Sequence, residues 1–72
     1  MLTYRLLEET TEYTKYEYLP EKSNSPGIVL LFNEGGFEVI RPSSDDEHGI
    51  YAKHAIFDIP KHDKEKGTIA WY

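Results

Sequence analysis

Apolar positions alternate, rather than wind, along most of this chain. Residues Thr3 to Glu8 put Tyr4 and Leu6 on one face of an extended segment and Arg5 and Leu7 on the other. Glu12 to Leu19 keeps the period of two, with Thr14, Tyr16 and Tyr18 on one side and Tyr13, Lys15, Glu17 and Leu19 on the other. Threonines and tyrosines favour a pleated surface, which weighs against a helix in the first segment. Glu9 to Thr11 is the expected turn, although neither glycine nor asparagine marks it. The prolines and polar residues of Pro20 to Pro26 then read as a loop, and a third strand starts at Gly27 or Ile28.

The strongest local signal runs from Gly27 to Arg41. Two runs rich in β-branched and aromatic residues flank Asn33-Glu34-Gly35-Gly36, whose glycines accept positive φ at no steric cost. A loop of two residues or of four sets Phe32 opposite Phe37, Leu30 opposite Val39 and Val29 opposite Ile40. One face then carries Ile28, Leu30, Phe32, Phe37 and Val39, and its stronger apolar character makes it the expected core. A three-residue loop would shift the register and mix the faces.

The period changes after Pro42. Ser44 and Glu47 have capping-box spacing, and three acids stand where a helix dipole favours negative charge. Helical projection gathers His48, Tyr51, Ala52, Ala55, Ile56 and Ile59 into an arc of about 140°. The expected helix spans Asp46 to Ile59, is weakened near Gly49, and stops at Pro60. A charged loop from Lys61 to Gly67 precedes a last strand, Thr68 to Tyr72, in which Trp71 or Tyr72 is expected to pack inside.

These elements predict an α+β fold, an antiparallel sheet of four to five strands with one helix on one face, in the order β-β-β-β-α-β. The expected strand order is 1-2-3-4 with the fifth beside the first. The 72 residues suit one small domain, residues 1–72. A chain of this length buries only about 60% of the surface that its unfolded form exposes. With no cysteine there is no disulfide and no thiolate zinc site, so the ten aromatic residues must supply much of the core: six Tyr, three Phe and one Trp.

Charge narrows the partners. The net charge is −5 and the only arginines are Arg5 and Arg41, so nucleic acid and acidic lipid are not expected to bind. No apolar run approaches the roughly 18 residues of a membrane span. The amino-terminal segment lacks a charged stretch followed by an apolar one, so the expected location is the cytoplasm.

Candidate chemistry is sparse. His54, Asp58 and His62 recur every four residues and could offer two nitrogens and a carboxylate to a metal in a metal-dependent enzyme. Pro60 breaks that spacing, and His48 projects more than about 100° from His54. A surface His–Asp pair is the plainer reading. Tyr13, Tyr16 and Tyr18 could form a stacking platform for a nucleic-acid-associated protein, but the basic groove such platforms need is missing. Lys61, His62, Lys64 and Lys66 alternate with Asp63 and Glu65 and read as a solvated loop. The Asn33–Gly36 glycines precede a strand, not a helix, and so do not form a phosphate loop. Ser43 and Ser44, beside acids, look like caps and not nucleophiles.

Ile50 and Phe57 stand out, seven residues apart on the helix and opposite its apolar arc. The expected function is a small non-enzymatic interaction or regulatory module with no cofactor. It would contact a protein partner or a second copy of itself through Ile50 and Phe57 on the helix and Tyr16 and Tyr18 on an open sheet face.

Overall fold

In a computed structural model, which describes residues 1–46 and 48–70, the alternating segments become strands. β1 is Leu2–Glu9, β2 Tyr13–Pro20, β3 Gly27–Phe32, β4 Phe37–Arg41 and β5 Lys66–Ile69. They form one antiparallel sheet in the order β4-β3-β2-β1-β5. The helix α1, Ile50–Asp58, follows β4 and continues into a 3₁₀ turn at Ile59–Lys61. This is the expected α+β arrangement, with the fifth strand beside the first.

The first hairpin turns on a hydroxyl. Thr10 Oγ1 accepts the N–H groups of Glu12 and Tyr13, both at 3.1 Å, so threonine supplies the turn that no glycine provides. The Asn33 side chain donates to the Thr11 carbonyl at 2.9 Å, which laces the two hairpin tips together.

The second hairpin departs from the expected register. Gly35 N–H donates to the Phe32 carbonyl at 3.0 Å and Phe32 N–H to the Gly36 carbonyl at 3.1 Å, which closes a three-residue loop. Gly35, at φ 110°, makes this geometry possible. Phe37 therefore pairs with Leu31, Glu38 with Leu30 and Val39 with Val29. The core face of β3 is Val29 and Leu31, not Ile28, Leu30 and Phe32, while Phe37 and Val39 keep the helix side. The local turn preference outweighs the apolar count of a strand that is apolar on both faces.

A row of four residues crosses the core face: Gly67 on β5, Tyr4 on β1, Tyr18 on β2 and Gly27 on β3. Each phenol ring lies over a glycine of the neighbouring strand, close enough that a Cβ on Gly27 would strike the Tyr18 ring and one on Gly67 the Tyr4 hydroxyl. Above this row sit Ala52, Ala55, Ile56 and Ile59. Small helix residues let the backbone approach, and large sheet residues fill the space that remains.

Asp46 starts the helix from outside it. Its carboxylate accepts the N–H groups of Tyr51 and Ala52, each at 3.0 Å, and the Tyr18 hydroxyl at 3.1 Å. Those N–H groups belong to the first turn, where no intrahelical acceptor exists. Gly49 occupies the left-handed region at φ 70°, so the chain enters the helix at Ile50 instead of Asp46. Ser44 does not cap; its hydroxyl donates to Ser25 Oγ at 2.8 Å. The α-helix ends at Asp58, one residue before the expected Ile59, and Pro60 falls in the first positions of the 3₁₀ turn that follows, where a missing N–H costs nothing. Glu47, Trp71 and Tyr72 lie outside the described residues, so the capping box with Glu47 and the packing expected of Trp71 or Tyr72 do too; the last strand is Lys66–Ile69.

Candidate contact surface

The helix does not cover the whole sheet. Nine residues extend about 13 Å, whereas five strands about 4.8 Å apart extend roughly 19 Å. It packs chiefly on β1, β2, β3 and β5, leaving β4 at the rim with every residue exposed. Between β4 and α1 lies an open groove of about 180 Å³ walled by Phe37, Val39, Pro42, Ala52, Ile56 and Phe57, with Lys53 at its lip.

The Phe37 and Phe57 rings meet edge to face across this groove, with centroids 6.3 Å apart and planes at 68°. Such a pair gains stability beyond its buried area. Both rings nonetheless remain more than half exposed, Phe37 at 52% and Phe57 at 55%. Val39, Ile40 and Ile50 are exposed as well. Ile50, at the first helical position, stands apart from the groove walls.

Tyr16 and Tyr18 do not belong to an open face. Both are buried beneath α1 and the residues that follow it. Tyr16 donates its hydroxyl to the Lys64 carbonyl at 2.7 Å, and Tyr4 donates to the Asp63 carbonyl, which pins the charged loop to the sheet. Burial raises the Tyr4 and Tyr16 phenols above their ordinary value. It pushes Tyr18 up to about 12, with the Ser43 N–H bond opposing and the Asp46 carboxylate adding to the rise. That Thr14, Tyr16 and Tyr18 share one face was legible in the sequence, but the expectation that this face stays open was not met, because period-two alternation does not say which face the helix takes.

The face opposite the helix mixes polar and apolar groups. Tyr13 packs edge to face on Phe32 at 6.5 Å and donates to Glu8 at 2.9 Å, a bond that raises its phenol. Arg5 reaches Glu17 at 3.5 Å. Half-buried Leu19, Ile28 and Leu30 lie between these groups.

His54 Nδ1 and Asp58 Oδ2 lie 3.3 Å apart, the plain i, i+4 pair. His62 falls beyond the 3₁₀ turn, and among the described residues no group of three or more His, Asp or Glu side chains converges as a metal site would require. Lys64 pairs with Glu9, a hydrogen bond that raises its ammonium. No helix among the described residues is long and apolar enough to cross a membrane.

Of the four expected contact residues, Tyr16, Tyr18, Ile50 and Phe57, Phe57 alone lines the groove. Phe37 and Val39, expected in the core, join it there. Nothing in the sequence marked them, because the helix expected over Asp46 to Ile59 would extend about 21 Å, far enough to cover a terminal strand as well.

Neither family models, nor curated proteins, nor solved structures yield a match to this chain.

Proposed function

We propose that this chain is a non-enzymatic interaction module whose working surface is the β4–α1 groove. The observation that carries the reading is the Phe37–Phe57 pair, two aromatic rings packed on each other yet each more than half open to solvent. Single exposed apolar residues need no explanation, but contiguous ones beside an apolar groove mark contact sites. Phe37, Phe57 and Val39 form such a set along one edge.

The nucleic-acid alternative loses its surface, because two of its three tyrosines serve the core and the net charge is −5. The test is Phe57→Ser, alone and with Phe37→Ser. Neither ring is buried, so the circular dichroism spectrum should stay native. Proteins that co-purify with the native chain from its source cell should be lost with the double variant. Retention of the same proteins by both variants would remove the groove as the working surface.

A further inference from the structure

We infer that the partner adds an extended strand to the free edge of β4, and that this strand carries a basic residue between two apolar ones. This rests on the interaction-module reading and names the chemistry of its partner.

The backbone supplies the template. Hydrogen bonding in the hairpin alternates from the Phe32–Gly36 pair, which makes Leu31–Phe37 and Val29–Val39 the non-bonded pairs. The peptide groups of Phe37 and Val39 therefore point away from β3. They leave two N–H donors and two carbonyl acceptors at the spacing an antiparallel strand requires. Beyond them the bulge at Ile40–Arg41 and the missing N–H of Pro42 end the template. The opposite edge, β5, is a four-residue strand that begins with an exposed lysine, a common defence against pairing.

Side chains define what fits. A residue opposite Phe37 and one opposite Val39 would lie on the helix side, against those two and Phe57. That position calls for apolar residues. The residue between them would face Glu38 on the other side of the sheet. Glu38 is exposed, and its side chain has no ion pair or hydrogen bond among the described residues. An opposed Lys or Arg completes it, whereas an opposed acid repels it.

A second copy of this chain fails that requirement. Antiparallel pairing of β4 with itself uses all of these backbone groups only when centred on Glu38, which sets two like-charged glutamates directly opposite each other with Cβ atoms about 5 Å apart. The alternative centre, Val39, sets Phe37 against the bulged end of the other copy. Glu38 thus admits a basic strand and rejects the chain's own.

The experiment uses the full isotope-labelled chain and two short capped peptides that alternate threonine with leucine or valine and differ only in a central lysine or glutamate. The lysine probe should shift the amides of Phe37 and Val39 and bind roughly 3- to 30-fold tighter than the glutamate probe, the range set by cross-strand charge pairs. Glu38→Lys should reverse the preference. Equal binding of the two probes, a preference that Glu38→Lys leaves unchanged, or binding of neither would overturn the inference. So would a native chain that dimerises through β4, as sedimentation and the same amide shifts would reveal. The groove reading survives each of these results if the Phe37→Ser, Phe57→Ser double variant still loses its cellular partners, so the two failures can be told apart.

Discussion

The Tyr18 hydroxyl donates to Asp46 Oδ2 at 3.1 Å and ties the second strand of the sheet to the carboxylate that receives the first turn of α1. Both side chains are buried. Sheet and helix are thus joined by one polar centre in which each donor has an acceptor, as burial demands. Asp46→Ala should cost at least about 2 kcal/mol, because two helix N–H groups and a phenol lose their acceptor together. Asp46→Asn should cost less, since one amide oxygen remains. Urea denaturation of the two variants measures the difference, and equal losses would show that the carboxylate caps nothing.

Alkaline pH tests the same centre. The unfolded chain releases the Tyr18 proton near 10, and the native chain holds it to about 12. Between those values the native state carries a proton that the unfolded state has lost. Stability is therefore fully present below the window and falls as pH rises through it. Tyr4 and Tyr16 shift in the same direction, chiefly through burial. The urea midpoint should fall through this range, and Tyr18→Phe should fall less steeply. Parallel curves would assign the alkaline loss to other groups.

Among the glycines, Gly27 has the least room for a side chain. Gly27→Ala places a methyl group against the Tyr18 ring, and overpacking of this kind costs about 1–3 kcal/mol. Adding Tyr18→Leu removes the obstruction, so the double variant should be more stable than the sum of the two single losses implies. Strict additivity in thermal melts would mean that ring and glycine do not share the space.

The hairpin register makes a prediction of opposite sign to that of the apolar pattern. Val29→Ala should cost about 2–3 kcal/mol, because Val29 is 0% exposed. Leu30→Ala removes more carbon but from the half-buried outer face, and should cost under about 1 kcal/mol. A larger loss at Leu30 would restore the register in which Leu30 faces the helix.

The existence and order of the strands and the helix were legible along the chain, because each element rests on local periodicity and on turn residues, although the helix begins at Ile50 instead of Asp46 and the last strand at Lys66 instead of Thr68. Tyr4 and Leu6 on one face of β1, and Thr14, Tyr16 and Tyr18 on one face of β2, follow from a period of two that a neighbouring strand cannot alter. Ala52, Ala55, Ile56 and Ile59 follow from a period of 3.6 in the same way. The groove was not legible, since Phe37 and Val39 look like core until the reach of the helix is known.

Alternation divides residues into two faces and leaves open which one the helix covers. That choice depended on volume: two phenols lying over two glycines fill the space under a helix of alanines, and the other face has no such fit. The hairpin register depended on the turn glycines Gly35 and Gly36, both at positive φ, which close a three-residue loop. The helix start depended on Asp46, which is 28 residues from Tyr18 along the chain and meets it only where sheet and helix pack. Periodicity is a property of neighbours along the chain, and it established the elements. Complementary volume and paired polar groups exist only between elements, so the buried face, the register and the exposed edge of β4 were decided by packing.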